Sequence, residues 1–307
     1  MGASQLYSCF DFRLRSEIGL PELIAADDKD VRPIVDVRIG SVPESLPDGG
    51  KMVGGLQVER DTALLTVAQT ARYLVREGRE IVVDPLPGGS ERNVRLFLLG
   101  SSLGLLCHQR GLLPLHANAI VAGGAACAFA GRSGAGKSTL AAYFARAGYP
   151  VLCDDVCVIN LDATDAPFAW PGLPRLKLWG DASAAFGHDA KTLERVIESM
   201  DKYHVPLSTP PAAKPIPFRR LYLLERTQAA EDRGIVRLRG REAMEAIMAQ
   251  TYRGLYLHPL GLSARHFLQC SALASRIEVY AATRSWGYDV FEREAERLAR
   301  HLLEASE

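Results

Sequence analysis

The sequence predicts an α/β fold with α+β elements, in which a smaller β-rich N-terminal region of residues 1–90 precedes a larger mixed domain of residues 91–307. Short apolar runs separated by glycine-containing turns fill the first region, as is typical of strands. In the second region an apolar run, residues 125–130, enters a glycine-rich loop, and a segment with helical spacing leaves it. This strand–loop–helix order is typical of α/β domains.

The composition is that of an ordinary globular protein, and it disfavours two classes of partner. The chain has 307 residues, of which 48% are hydrophobic and 23% charged, and its 36 basic residues balance its 36 acidic residues. Because nucleic-acid-binding proteins usually carry a basic excess, no nucleic-acid partner is expected. The sequence lacks a long apolar run and an N-terminal apolar block, so we expect a cytoplasmic protein without a membrane partner. The six scattered cysteines are expected to be buried free thiols.

The elements of the N-terminal half are predicted from turn signals and apolar spacing. Residues 73–75 and 81–83 flank a turn at Gly78 and predict a β-hairpin. Residues 92–108 have near-helical apolar spacing. Gly100 and Gly104 disfavour that helix, since each glycine costs about 1 kcal/mol in a helix interior, unless small residues are needed there for close packing.

The second half alternates between predicted strands and helices. Residues 115–122 and 125–130 predict two strands joined by a tight turn at Gly123 and Gly124. Residues 138–146 then predict a helix that ends before Gly148. The remaining predictions are strands at 149–153, 156–161, 221–224 and 277–281, helices at 241–256 and 263–275, an amphipathic C-terminal helix carrying Phe291, Ala295, Leu298 and Leu302, and proline-rich loops at 171–174 and 206–217.

The glycine-rich loop has the sequence of a phosphate-binding loop. Residues 131–138 match the pattern G-x-x-x-x-G-K-[ST] at every fixed position. The glycines permit backbone conformations that bring N–H groups around a phosphate, and the helix that follows favours anions at its N-terminus. Lys137 is expected to reach the β- and γ-phosphates of ATP, and the Ser138 hydroxyl to ligate Mg²⁺. The predicted nucleotide-binding residues are Gly131, Arg132, Ser133, Gly134, Ala135, Gly136, Lys137, Ser138 and Thr139.

Two adjacent aspartates follow the first apolar run after the loop. The run at residues 150–153 ends in Asp154 and Asp155. One carboxylate could hold Mg²⁺, and the other could orient or deprotonate an attacking hydroxyl. The sequence does not separate the two roles, although Asp154 is a candidate metal ligand together with Ser138. We predict a catalytic role for both.

His116 is a third catalytic candidate. It lies in the predicted hairpin whose second strand enters the phosphate loop, so it could reach the γ-phosphate region. A lone histidine in an apolar run is more often a core residue, so the residue type alone does not decide its role.

The order and spacing of residues 115–117, 131–138 and 152–155 resemble the catalytic domain of the HPr kinase/phosphorylase family. The resemblance is close over residues 112–161 and implies a P-loop kinase core of that type. It implies an active site formed by His116, Lys137, Ser138, Asp154 and Asp155, and transfer of the γ-phosphoryl group of ATP to a serine of a protein.

The chain departs from that family in ways that indicate a divergent member. Arg132 and Thr139 stand where the family has acidic residues, and the later Glu-x-Arg-Gly-x-Gly signature is missing, its nearest counterpart being residues 171–177. The chain is more similar to HPr-kinase-like enzymes that resemble tailoring kinases of lasso-peptide precursors. We therefore expect an ATP-dependent serine kinase acting on a peptide or small protein.

Other interpretations stay open. The loops at 171–177 and 206–217 could close a pocket for a small-molecule acceptor. The chain could be an authentic HPr kinase/phosphorylase, or a nucleotide-binding switch that transfers nothing. A homo-oligomer is compatible with the sequence. Arg175, Lys177 and Arg253 are candidate phosphate contacts, although solvated surface charges of this kind are common.

Overall fold

A computed structural model describes residues 4–47, 50–161, 166–173, 175–186, 192–197, 200–207, 214–229, 234–285 and 287–304. Contacts divide the chain into two units. The first comprises Met1–Pro114 and Tyr252–Leu268, and the second comprises Leu115–Thr251 and Gln269–Glu307. The first unit thus contains residues 91–114 and 252–268 in addition to the predicted β-rich region.

The predicted α/β class is confirmed, because several sheets and a smaller set of helices make up the described chain. The finer assignment to a P-loop kinase core stays a prediction. The strands are β1 (Gln5–Cys9), β2 (Phe12–Ser16), β3 (Ile24–Ala25), β4 (Ile34–Ile39), β5 (Lys51–Val53), β6 (Leu56–Glu59), β7 (Thr62–Val67), β8 (Ala71–Arg76), β9 (Glu80–Pro85), β10 (Leu113–Leu115), β11 (Ala117–Ala122), β12 (Ala125–Ala130), β13 (Val151–Cys153), β14 (Cys157–Asn160), β15 (Phe168–Trp170), β16 (Arg175–Trp179), β17 (Glu194–Arg195), β18 (Lys202–Pro206), β19 (Ile216–Thr227), β20 (Gly234–Leu238) and β21 (Glu278–Ser285). The helices are α1 (Glu91–Phe97), α2 (Leu103–Arg110), α3 (Lys137–Arg146), α4 (Gly180–Ala185), α5 (Gly240–Ala249), α6 (Ser263–Arg276) and α7 (Tyr288–Glu304).

The first unit is built on one twisted sheet. Its strand order in the described chain is β3-β1-β2-β4-β9-β8-β7-β6-β5. The predicted hairpin is confirmed as β8 and β9, with Glu77 and Gly78 in the left-handed region at φ 49° and 63°. Both positive φ values fit the turn that the right-handed twist of paired strands favours.

The predicted helix at 92–108 is interrupted in the middle. Leu98–Ser102 forms a π-helical turn between α1 and α2. A side chain at Gly104 would place its Cβ 2.9 Å from the ring of Tyr252, and one at Gly100 would approach the Tyr252 hydroxyl at 3.3 Å. The two glycines therefore leave room for the Tyr252 ring. This is the close packing that the sequence offers as the reason for glycine at these positions.

The second unit contains a mixed sheet with β12 at its centre. Among the strands that lie wholly in this unit, the order is β14-β15-β19-β12-β11-β13, and β19 also pairs with β21, which pairs with β20. The predicted glycine-turn hairpin is confirmed, because β11 and β12 pair antiparallel from Ala117 with Ala130 to Ala122 with Ala125. Since β12, β19 and β21 are parallel, their carboxyl ends lie at one edge of the sheet.

Helices α3 and α7 bury their apolar sides in the core of this unit. Phe144 of α3 stacks on Phe129 of β12 with ring centroids 5.3 Å apart. Ala295, Leu298 and Leu302 of α7 are fully buried in the same cluster, as the amphipathic pattern predicts. The described cysteines are all buried and free, as expected. No helix in the described segments is long and apolar enough to cross a membrane.

Three predicted elements have different bounds. The helix predicted at 241–256 ends at Ala249, and Arg253 adopts the left-handed conformation at φ 56°, which a continuing α-helix does not allow. The loop predicted at 171–174 and its extension to 177 contain strand β16, which pairs with β18 in a separate sheet. Pro206 ends β18 and Ile216 begins β19, so the loop predicted at 206–217 is shorter. Pro174 and residues 208–213 lie outside the described residues.

Candidate functional site

The glycine-rich loop connects β12 to α3 and requires glycine at three positions. Gly131, Gly134 and Gly136 have φ values of 145°, 77° and 80°, which side chains rarely permit. A Cβ at Gly131 would also lie 2.7 Å from the carbonyl oxygen of Leu224. Because Gly136 immediately precedes α3, the loop presents the positive end of a helix to the solvent side of the sheet edge.

Lys137 is folded back over this loop. Its ammonium donates hydrogen bonds to the carbonyl oxygens of Gly131, at 2.8 Å, and Arg132, at 3.3 Å. Burial lowers the pKa of Lys137, and the negative charge of Asp155 opposes that shift. A cation is thereby held at the mouth of the loop by main-chain oxygens, where an anionic ligand would meet it.

Two distant residues that the sequence analysis missed anchor the loop. The guanidinium Nη2 of Arg284, a buried residue of β21, donates to the carbonyl oxygen of Ala135 at 2.6 Å. The side-chain oxygen of Gln250 accepts from the Gly131 amide at 3.1 Å. Burial lowers the pKa of Arg284 to about 10, opposed by the charge of Glu294, so it stays protonated. A lone arginine in an apolar strand was the only sequence signal.

Asp154 lies buried beside the start of α3. Its Oδ1 accepts from the Asn118 amide at 2.5 Å and from the Ser138 hydroxyl at 3.3 Å. Its Oδ2 accepts from the backbone N–H of Lys177 at 2.6 Å. Burial, followed by the negative charge of Asp155, raises the pKa of Asp154 to about 6. A bound cation would therefore stabilise the ionised carboxylate, because their attraction would offset the cost of its desolvation.

The donor set around Asp154 fits Mg²⁺. Asn118 is buried, and its Oδ1 has no hydrogen-bond partner among the described residues. Together with the Asp154 carboxylate and the Ser138 hydroxyl it forms a group of hard oxygen atoms, the ligands that Mg²⁺ prefers. The described residues contain no group of three or more His, Cys, Asp or Glu side chains suited to a metal. Mg²⁺ does not need one, because it is usually held by one or two carboxylates plus water and phosphate oxygens.

Asp155 points to a different set of partners. Its Oδ2 lies 3.0 Å from the Lys177 ammonium, and its Oδ1 lies 3.3 Å from His116 Nδ1. Burial alone would raise the pKa of Asp155, but the charge of Lys177, that of His116 at the acidic pH where its ring is protonated, and that of Lys202 lower it to about 2. Asp155 is therefore an ionised carboxylate throughout the physiological pH range. Lys177, which the sequence suggests as a phosphate contact, instead forms an ion pair with Asp155.

The tautomer of His116 follows from its contacts. Its Nδ1 lies 3.0 Å from the carbonyl oxygen of Asp155 and close to the carboxylate of the same residue. Both partners only accept hydrogen bonds, so Nδ1 carries the proton. Burial lowers the pKa of His116, so at neutral pH the ring is uncharged and its Nε2 carries a lone pair. His116 lies one residue before β11 and not within the strand.

One cavity of about 550 Å³ joins most of the predicted residues. It brings Lys137, Ser138 and Thr139 together with His116 and Asp155. Asp154 adjoins it through Ser138. The described lining is His116, Asn118, Ser133, Gly134, Gly136, Lys137, Ser138, Thr139, Asp155, Trp179, Asp181, Ala182, Asp201, Lys202 and Arg226.

The remaining candidates lie elsewhere. Gly131, Arg132 and Ala135 line a second cavity of about 710 Å³. Among the described lining residues of the first cavity, Arg175 does not appear. Arg253 belongs to the first unit.

Comparisons with known proteins identify no relative in sequence, and the structural match is distant. Neither a protein-family model nor a curated protein sequence matches the chain. Among solved structures, the chain is similar to the Hpr(Ser) kinase/phosphatase from Coxiella burnetii, with a TM-score of 0.31 and 12% sequence identity over 63% of this chain and 99% of that one. This is a distant structural resemblance. The closer likeness to lasso-peptide tailoring kinases stays a prediction from the sequence.

Proposed function

We propose that the protein is an ATP-dependent kinase that transfers the γ-phosphoryl group to a serine hydroxyl of a peptide or small protein. The observation that carries the proposal is that one cavity contains both a phosphate-loop lysine, Lys137, and a carboxylate–imidazole pair, Asp155 and His116. A nucleotide-binding switch needs only the first of these. A phosphoryl-transfer enzyme needs both, because the acceptor hydroxyl must be oriented and must lose its proton.

The loop end of the cavity suits the triphosphate. Main-chain N–H groups at the start of α3 and the ammonium of Lys137 would neutralise the β- and γ-phosphates. Asp154, Ser138 and Asn118 would hold Mg²⁺ through their oxygen atoms, and the ion would supply charge neutralisation to the transferring group. The two aspartates thus take separate roles in this proposal, with Asp154 on the metal and Asp155 on the acceptor.

The Asp155–His116 pair suits the acceptor. The serine oxygen forms a bond to the γ-phosphorus while the bond from that phosphorus to the β–γ bridging oxygen breaks, and ADP leaves. Asp155 accepts a hydrogen bond from the hydroxyl and orients it, and Nε2 of the neutral His116 receives the proton. Lys177 keeps Asp155 ionised and turned toward the cavity. A lasso-type precursor peptide is the acceptor that the sequence resemblance favours.

The proposal is tested by transfer of label from [γ-³²P]ATP to serine-containing peptides and to a lasso-type precursor. The wild-type protein should label an acceptor, and Asp155→Asn should reduce the rate at least about 100-fold, in the range expected for a positioned acid–base group. Asp28→Asn is the matched control, because Asp28 is an exposed aspartate of the first unit.

Three outcomes would overturn the proposal in whole or in part. ATP binding without a phosphorylated product from any acceptor, small alcohols included, would favour the switch. Full activity in both Asp155→Asn and His116→Asn would remove the proposed acceptor machinery. Labelling of a free small alcohol and of no peptide would place the acceptor in the small-molecule class.

A further inference from the structure

We infer that Trp179 is the stacking face for the base of the bound nucleotide. The inference rests on the proposed nucleotide binding and adds a subsite for a flat, aromatic, uncharged group. Trp179 is 46% exposed, and it lines the cavity that also holds Lys137 and Thr139. A large aromatic side chain that is half exposed in an otherwise polar cavity leaves apolar surface in contact with water, and a planar ligand would cover that surface.

The alternation of β16 places Trp179 on the ligand side of its strand. Leu176 and Leu178 point into the core. Side chains two residues apart share a face, so Trp179 shares the face of Lys177, whose ammonium contacts Asp155. A strand advances about 3.3 Å per residue, so Trp179 lies about 7 Å farther along this face than Lys177. The ring is therefore displaced from the acidic pair along the wall of one cavity.

Neighbouring residues hold the ring and set the polarity of its surroundings. Lys202 is the cross-strand partner of Trp179, and its ammonium lies 5.8 Å from the centre of a Trp179 ring, within the range of a cation–π contact. Asp181 follows Trp179 by two residues, Asp201 directly precedes Lys202, and both aspartates line the same cavity. Two carboxylates against one ammonium disfavour a polyphosphate there, whereas they tolerate a neutral base with amino groups.

The direction of the phosphate loop agrees with this placement. In loops of this pattern the lysine reaches the β- and γ-phosphates, while N–H groups of the loop cradle the α- and β-phosphates. The triphosphate then runs from the Lys137 ammonium across the N–H groups of the loop, and the nucleoside continues beyond the α-phosphate. Gly134 and Gly136 of the loop line the cavity with Trp179, so the base would lie in the cavity whose wall carries the ring.

The test measures binding of ATP and of inorganic tripolyphosphate, each with Mg²⁺, by isothermal titration of the full chain. Trp179→Ala should weaken ATP binding by about tenfold or more, the loss typical of one base–aromatic stack. Tripolyphosphate has no base, so its dissociation constant should stay within about twofold of the wild-type value. Trp179→Phe keeps a ring and should recover most of the ATP affinity. Phe267→Ala is the matched control, because Phe267 is a 48%-exposed aromatic residue of the first unit.

The outcomes separate this inference from the proposed function. If wild-type protein binds ATP and Trp179→Ala binds it equally well, Trp179 is not the base-stacking residue, whereas the kinase proposal survives. Equal weakening of ATP and tripolyphosphate would also overturn the inference, since the loss would then concern the phosphates. An unchanged ATP affinity together with a raised KM for the acceptor would show that the Trp179 ring binds the acceptor and not the base. A wild-type protein that binds neither ligand would refute both proposals.

Discussion

Replacement of Asp154 with asparagine is expected to stabilise the ligand-free protein at alkaline pH, although the residue belongs to the proposed site. Burial and the charge of Asp155 raise the pKa of Asp154 from 3.8 to about 6. The folded state thus resists ionisation more than the unfolded state does. A raised carboxyl pKa costs stability above the folded pKa, and the cost disappears as the pH falls toward the unfolded pKa.

The magnitude follows from the size of the shift. A difference of about 2 pKa units at about 1.4 kcal/mol each makes the ionised carboxylate cost about 3 kcal/mol at pH 8. At pH 4 the folded carboxyl is almost fully protonated and the unfolded one is about 40% protonated, so the same calculation leaves about 0.5 kcal/mol. The variant can keep its hydrogen bonds, because the Asn118 amide can turn so that its Oδ1 accepts from the amide introduced at position 154.

The assay is urea unfolding of the wild-type protein and Asp154→Asn from pH 4 to pH 8, with a chelator and without nucleotide. The variant should gain stability at pH 8 and lose most of that gain at pH 4, while Asp28→Asn should match the wild type throughout. Mg²⁺ and ATP together should stabilise only the wild type. A variant that is less stable than the wild type at pH 8, or a gain in stability that does not change with pH, would refute the conclusion that burial makes the ionised Asp154 carboxylate destabilising.

Three further substitutions test other parts of the site. Lys137→Met should weaken Mg²⁺–ATP binding at least about tenfold in titration calorimetry, because a charge-assisted contact to phosphate is lost. Unchanged affinity would show that the loop does not bind the phosphates of ATP. Gly131→Ala should lower the melting temperature and abolish ATP binding, because its Cβ would clash with a main-chain oxygen at 2.7 Å. Gly148→Ala is the control, because a Cβ there meets nothing within 4 Å, and this variant should keep ATP binding. Lys177→Met removes the main cation that lowers the pKa of Asp155, so the pKa of that carboxyl, followed by an NMR titration, should rise. An unmoved pKa would show that Lys177 does not keep Asp155 ionised.

The parts of the site that the sequence predicted are those encoded by local spacing. The glycines and Lys137 of the loop lie within a few residues of one another, so their pattern is visible without a fold. Asp154 and Asp155 were found because an apolar run marks the end of a strand, and such ends collect near a phosphate loop in α/β sheets. The hairpin joining His116 to the loop was readable from its glycine turn.

The remaining contacts depend on pairings that no local pattern encodes. Asn118 meets Asp154 across 36 residues of sequence, and Arg284 meets Ala135 across 149. Both arise from strand order in the sheet, which is set by the whole core. The sequence identifies Lys177 only as a cation, because the prolines of that segment favour a loop, whereas the structure has the strand β16 there with two faces.

The backbone at Asp155 explains how adjacent aspartates come to have opposite character. Asp155 adopts the left-handed conformation at φ 72°, which aspartate tolerates better than most residues with a side chain. A continuing strand would direct the two carboxylates to opposite faces. The turn instead keeps Asp154 among the neutral donors of Asn118 and Ser138 and brings Asp155 to Lys177 and His116. In the proposed kinase, the first buried carboxyl would hold the metal ion and its ionised neighbour would orient the acceptor, which are the two separate roles that phosphoryl transfer needs.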